Sequence, residues 1–355
     1  MLIVDAHLDL AWNAVQGGRD LRRPVAEIRR TEAEAGLEGP GRGQGTVALP
    51  ELRLGHVGVA VATLIARCTG TPLEGVDYAT VAEATAVARG QLAYYRELEQ
   101  EGLVVVLENA GALREHVAHW ERWDESDPVP PIGLVVSLEG ADPIATPADV
   151  DEWYAAGVRI IGLSHYGPGR YAGGTMTDGG LTADGPALLA AMARCGIALD
   201  VTHSTDAGMA ESLVLFDGPV LASHSNARAL VPHQRQLTDA QLTELARRDG
   251  VIGSVFDCWM LDPTWMRGQK ENPVTLERVA DQIEHVCQVT GGTEHAAIGS
   301  DLDGGFGREQ SPADLDTIAD LPRLGGILRE RGYSEGDVAA VLHGNWLRLL
   351  ERILG

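Results

Sequence analysis

The chain has 355 residues, 45% of them hydrophobic and 22% charged, the composition of an ordinary globular protein with a large core. Its formal net charge of -23 would repel nucleic-acid phosphates, and no apolar run reaches the roughly 20 residues of a membrane span, so neither nucleic acid nor a membrane is an expected partner. Cys68, Cys195, Cys258 and Cys287 form no CxxC pair and are expected to be reduced, and the absence of a leader-like start points to a cytoplasmic location.

Leu2, Ile3 and Val4 open a short strand that ends in His7-Leu-Asp9. A period of two puts His7 and Asp9 on one strand face, and an imidazole beside a carboxylate suits a metal such as zinc. Residues 17–46 are rich in glycine and read as a long irregular loop, a lid or a surface excursion, with a short helix over 24–35. A continuous apolar run over 57–65 predicts a strand covered on both faces. Val81, Ala84, Ala88, Leu92 and Tyr95 recur at helical spacing and predict a helix over 80–99. The short apolar run 103–107 precedes a helical stretch over 111–121. The polar segment 121–131 ends Pro-Val-Pro-Pro and reads as loop.

From there the alternation is regular. Strands are expected at 132–138, 158–163, 198–202, 220–223, 251–255 and 296–299. Helices are expected at 147–156, 186–195, 206–214, 239–248 and 275–289, with a last one over 335–353. Such alternation implies βαβ units and a parallel sheet. Nine strand candidates are one too many for a (β/α)8 TIM-like barrel, and 103–107, closed by no ligand-type residue, is the accessory one. No repeat or domain boundary interrupts residues 1–355, so one barrel domain is expected.

The strand ends carry the chemistry. Six runs close on His7 with Asp9, on Glu139, on His165, on His203, on His224 and on Asp301, with Asp303 just beyond. In a barrel all these ends share one rim, where active sites lie. Three histidines with Asp9 and Glu139 exceed the roughly three protein ligands of one catalytic zinc and suit two ions sharing a carboxylate. The only lysine, Lys270, sits in a loop-like segment, so a carboxylated lysine is not the bridge and Glu139 is. The other histidines have helix, turn or pre-strand settings, and of these His233 is placed to line the pocket.

These residues resemble the membrane dipeptidase (renal dipeptidase) family of zinc peptidases, within the amidohydrolase-like barrels. The matching segments are Asp5-Ala-His7-Leu-Asp9, Leu138-Glu139-Gly140, Leu163-Ser-His165, Leu199-Asp-Val-Thr-His203, Ser223-His224-Ser-Asn226-Ala227, Arg235-Gln-Leu-Thr-Asp239, Ile298-Gly-Ser-Asp301-Leu-Asp303-Gly304 and Gly344-Asn345-Trp-Leu-Arg348. They run from the first strand to the last helix. The resemblance implies two zinc ions, one held by His7 and Asp9, the other by His203 and His224, with Glu139 bridging both. It implies Asp301 as the general acid/base beside a bridging hydroxide, His165 as the group that polarises the scissile carbonyl, and Arg235 as the grip on the substrate carboxylate. Asn226 joins His165, Arg235 and Asp301 in the implied substrate pocket.

One departure stands out. The tyrosine that often follows the family's seventh strand is missing from Phe256-Asp257-Cys258-Trp259-Met260. The implied reaction is hydrolysis of dipeptides, with C-terminal D-residues and a homodimer both left open. A related amidohydrolase acting on lactones, β-lactams or other amides fits the same metal pattern. A non-catalytic metal-binding protein fits it less well, since metal binding alone requires neither Asp301 nor His165.

Overall fold

The expected apolar runs become strands buried on both faces. In the computed structural model, which describes every residue except Thr71, Pro72, Glu74, Glu125 and Lys270, each residue of β1 (Ile3–Leu8), β2 (Val57–Leu64) and β4 (Ile132–Leu138) is buried. Lys270, on which the argument against a lysine bridge turned, thus lies outside the described residues. The remaining strands are β3 (Val104–Val106), β5 (Val158–Gly162), β6 (Ala198–Asp200), β7 (Val220–Leu221), β8 (Ile252–Ser254) and β9 (Ala296–Ile298).

All strand pairs are parallel. One sheet runs β1-β2-β4-β5-β6-β7, and β8 pairs with β9. A bridge from Ala222 to Ile252 joins the two. The ring closes where Asp301 N–H donates to the His7 carbonyl at 3.3 Å. β3 pairs only with the start of β4, so it is accessory, as its length suggested, and eight strands make the barrel wall. Val4, Ala6, Val59, Val61, Val135, Ile160, Ala198, Leu221 and Ala297 pack on one another across the barrel interior. Trp346, Leu349, Leu350 and Ile353 of the last helix, Asn345–Ile353, join that cluster. The outward-facing residues pack in a second cluster under the surrounding helices.

Helices appear at Val81–Gln100, Ala110–Arg122, Gly185–Cys195, Asp206–Leu215, Asp239–Arg247 and Leu276–Thr290, within a residue or two of expectation. Each of these lies near a turn-forming or capping residue; Thr80 and Glu83, for example, form a reciprocal cap. Short helices at Leu10–Val15, Leu49–Leu54 and Pro322–Glu330 were not anticipated, and the expected 335–353 helix contains a π segment at Ala340–Gly344. Among the described residues no helix is long and apolar enough to cross a membrane.

The glycine-rich stretch is ordered. It carries the helix Val25–Glu34, and Asp303 pins it down. The Asp303 carboxylate accepts from Arg19 Nη1 at 3.0 Å, from Thr46 N and Oγ1 at 2.7 and 2.8 Å, and from Val47 N at 3.0 Å. Gly41 meets the Phe306 backbone so closely that a Cβ there would stand 3.1 Å from it. This contact brings Pro40 to the edge of the cavity described next.

Candidate metal centre

The strands deliver their functional side chains by a common rule. Glu139 directly follows β4 and continues the inward parity of Val135 and Ser137. His165, His203, His224 and Asp301 each lie three residues beyond the end of β5, β6, β7 and β9. His203 and Asp301 turn the chain with φ of 65° and 58°, left-handed values in which histidine and aspartate are found more often than most residues. β1 departs from simple alternation. Val4 and Ala6 face the interior, so strict parity would turn His7 outward with Ile3. The pairing with β2 shifts register between Asp5 and Leu8, and His7 swings inward. Asp9 lies just past the strand, as the residue before helix Leu10–Val15. The pair does meet, by a bulge and not by period-2 geometry.

Two buried carboxylates staple the rim. Asp5 Oδ1 accepts from His7 N at 3.2 Å and from Ser300 N, past β9, at 2.9 Å. Asp200 Oδ1 accepts from Thr202 N and Ser223 N, both at 3.0 Å. Each staple fixes the backbone at or beside a site residue on two neighbouring strands, His7 and Asp301 for Asp5, and His203 and His224 for Asp200.

The side chains converge on one carboxylate. Glu139 Oε1 stands 3.4 Å from His7 Nε2, 3.6 Å from His165 Nε2, 3.3 Å from His203 Nε2 and 3.6 Å from His224 Nε2. Asp9 Oδ1 and Asp301 Oδ1 lie 3.9 and 3.7 Å from His7 Nε2. The donor atoms fall into sets whose members lie within 4.8 Å of one another: His7, Asp9 and Glu139; Glu139, His203 and His224; and His7, His224 and Asp301. Glu139 is common to the first two. His7 Nε2 and Glu139 Oε2 are buried with no hydrogen-bond partner. Unpaired lone pairs in a buried cluster are expensive unless a cation takes them, so the donor set fits a pair of metal ions.

The outer partners fix which nitrogen is free. Ser223 Oγ lies 2.9 Å from His224 Nδ1 and 3.3 Å from His7 Nδ1, and Thr175 Oγ1 lies 3.0 Å from His203 Nδ1. A hydroxyl oxygen can accept an imidazole N–H, as outer partners of metal-bound histidines do. Thr175 passes its own proton to the His203 carbonyl at 3.3 Å, and Ser223 has Thr202 Oγ1 at 3.3 Å as a further partner. With Nδ1–H directed outward, all three rings aim Nε2 at the cluster, where a cation would take the place of a second proton on His7. Thr63 Oγ1 donates to Asp9 in the same supporting manner.

Electrostatics point the same way. Burial, with Glu139 nearby, pushes the Asp9 carboxyl up to about 7. Burial, with Asp9 and Glu139 adding to it, holds Asp301 well above the usual range. Burial would lower His7, but the carboxylates of Glu139, Asp9 and Asp301 outweigh it and raise the ring to about 10. Burial raises Glu139 less than the facing histidines lower it, leaving it well below its ordinary value. Burial and the Arg235 guanidinium depress His203, and His7 joins them in depressing His224. Burial, aided by Arg67 and Arg235, takes His165 down to about 4. A divalent cation would relieve the crowding of carboxylates on the His7 side.

A cavity of about 640 Å³ opens onto this cluster, lined by Asp9, Glu139, His165, His203, Arg235 and Asp301 and walled by Trp12, Tyr166, Asp257, Trp259 and Phe306 among others. Gly304 makes room for Asp301, since a Cβ there would sit 1.9 Å from Asp301 Oδ1. Arg235 is buried with Nη2 on the His224 carbonyl at 2.8 Å and Nη1 on Ser225 Oγ at 3.1 Å, while its Nε has no partner. Asn226 is not brought into the cavity. Its carboxamide is spent on the backbone of Val255 and Met260, with N–H donations of 3.0 and 3.1 Å. His233 lies behind Trp259, their rings 4.9 Å apart. His116, His285 and His295 bond elsewhere, to the Gly58 carbonyl, to Asp239 and to the Gly250 carbonyl. Where a tyrosine was missing, Asp257 faces the cavity, with Gln310 Nε2 donating to both of its oxygens at 2.8 and 2.9 Å.

Comparison with known proteins agrees with this geometry. Dipeptidase aclJ of Aspergillus oryzae is 29% identical over 312 residues, 86% of this chain and 69% of that protein. A solved metallopeptidase of family M19, the dipeptidase AC, superposes with a TM-score of 0.80 at 26% identity, covering 100% of this chain and 99% of that one. A metallopeptidase from Rhodobacter sphaeroides, solved with a phosphinate mimic of L-Ala-D-Ala, shares the fold with a TM-score of 0.79 at 24% identity over 99% of both chains. The family model described as membrane dipeptidase (peptidase family M19) matches residues 1–354. With barrel, metal-type cluster and sequence in accord from end to end, the chain belongs to the membrane dipeptidase family of metallopeptidases.

Proposed function

We propose that this protein is a binuclear zinc dipeptidase, with one ion held by His7, Asp9 and Glu139 and the other by Glu139, His203 and His224. The observation that carries the reading is the pair of donor sets that share Glu139, each closing to within 4.8 Å. Bound there, the ions would supply Lewis acidity and a water acidic enough to attack near neutral pH.

The chain's own residues do the rest. Arg235 holds the dipeptide carboxylate on one side of the mouth, a task suited to its planar fork. The acidic residues opposite receive the free amino group. Recognition of both charged ends favours dipeptides over longer chains. As water adds to the peptide carbonyl carbon, Asp301 accepts its proton and returns it to the leaving nitrogen as the C–N bond breaks. His165 Nε2–H donates to the oxygen that gains negative charge, a preorganised stabilisation.

One preparation tests this. Metal content is measured beside hydrolysis of L,L- and L,D-dipeptides, lactones and β-lactams. Dipeptide hydrolysis should fall with chelator and return with zinc, at two ions per chain. Chelator-resistant hydrolysis, or turnover of lactones with dipeptides untouched, would reject the assignment.

A further inference from the structure

Four histidines surround Glu139, and one differs in what stands behind it. His7, His203 and His224 turn Nδ1 toward hydroxyl oxygens. His165 turns Nδ1 toward Arg67, whose Nη1 lies 3.1 Å away. A guanidinium has N–H donors and no acceptor. Nδ1 of His165 must therefore accept, and the ring proton must reside on Nε2, the nitrogen that faces Glu139 Oε1 at 3.6 Å on the cavity side.

Arg67 is itself fixed. It lies three residues beyond β2, the same step that places His165, His203, His224 and Asp301. Its Nη1 also donates to the Tyr166 carbonyl at 3.2 Å, and its Nη2 donates to Asp77 Oδ2 at 2.6 Å. Both partners of that ion pair have buried side chains. Asp77 in turn accepts from Thr69 N and Oγ1 at 2.8 and 2.9 Å. The chain of contacts thus runs Asp77, Arg67, His165, cavity.

We propose that Arg67 is a positioning residue that locks His165 in the Nε2–H tautomer, making it a permanent hydrogen-bond donor to the substrate oxygen and denying it to the metals. The contrast with the other three rings gives the proposal its force. A partner that accepts leaves Nε2 bare for a cation. A partner that only donates leaves Nε2 protonated for an oxyanion. The proposal rests on the reading that His165 faces the scissile carbonyl, and its test separates the two.

The test is a double-mutant cycle on the zinc-loaded enzyme with Arg67→Met and His165→Ala. His165→Ala removes the donor and should lower kcat by about 10²- to 10³-fold. Arg67→Met leaves the donor but not its orientation, and should lower kcat by about 10- to 100-fold, the usual range for an outer partner, with KM nearly unchanged and metal content intact. Added to His165→Ala, it should cost almost nothing more. Near-normal kcat for Arg67→Met beside a crippled His165→Ala would overturn the role of Arg67 and leave that of His165. Near-normal kcat for His165→Ala would overturn the reading beneath it. Nitrogen-15 NMR of the wild-type holoenzyme decides the tautomer even if Arg67→Met fails to fold. A pyridine-type Nδ1 and pyrrole-type Nε2 at His165 support the lock, and the reverse pattern rejects it.

Discussion

The two sides of the barrel mouth are built alike and charged differently. On the seam side, Asp5 ties β1 to the segment after β9. On the far side, Asp200 ties the segments after β6 and β7 by the same pair of backbone N–H bonds. The scaffolds match, but the cargo does not. The seam side carries His7, Asp9 and Asp301, whose carboxyls burial has pushed up. The far side carries His203, His224 and Arg235, where burial and the guanidinium keep the imidazoles neutral. Glu139 lies between them. The fold therefore supplies two equivalent platforms, and the side chains placed on them differ in kind: carboxylates crowd one, and a guanidinium sits on the other. In the function proposed above, the first would carry the proton traffic and the second would bind the substrate anion.

That division can be broken in decreasing steps. The largest effect should come from Asp301→Asn, which keeps the shape and removes the proposed base. We expect kcat to fall by about 10²- to 10⁴-fold, with both metals retained by elemental analysis. Near-normal turnover would move the proton chemistry off the seam side. The next concerns Ser223, the hydroxyl that touches one ring from each side. Ser223→Ala removes the acceptor for both Nδ1–H groups. Zinc affinity, read by chelator competition, should drop by about 10- to 100-fold at both positions. A loss confined to one ion would mean that the two sides do not share this support.

How much of this was legible beforehand follows from what each residue depends on. The convergent cluster is readable because a ligand-type residue at a strand end has few other reasons to be there, and six strand ends carry one. Barrel and accessory strand are readable for a similar reason, since apolar runs alternate with helical periods. Arg67, Thr175 and Ser223 were not readable, because their roles depend on which nitrogen they face across the mouth. Arg67 does hold a strand-end position, three residues beyond β2, but an arginine there is no metal ligand, so the sequence carries no signal of its role. Asn226 shows the opposite error. Its neighbours match the family motif, yet its amide holds the loop at Val255 and Met260. The helices Leu10–Val15 and Leu49–Leu54 are too short to display a period.

Asp257 sharpens the comparison most gently, because it belongs to neither side. It follows β8, between the two platforms, and burial pushes its carboxyl up to about 7 despite the donations from Gln310. In the unfolded chain the same group ionises near 3.8, the ordinary value for an aspartate. Between those two values the folded state holds the extra proton, so this residue makes stability fall as pH rises, and above about 7 the loss is complete. The slope cannot exceed about 1.4 kcal/mol per pH unit. Asp257→Asn is neutral throughout and retains most of the shape. The variant's Tm relative to wild type should therefore climb from pH 4 to pH 7 and then level off, with kcat for small dipeptides little changed. A Tm difference that is flat across this window would show that Asp257 ionises normally in the fold. A large fall in kcat would instead give the space between the platforms a direct part in holding the substrate.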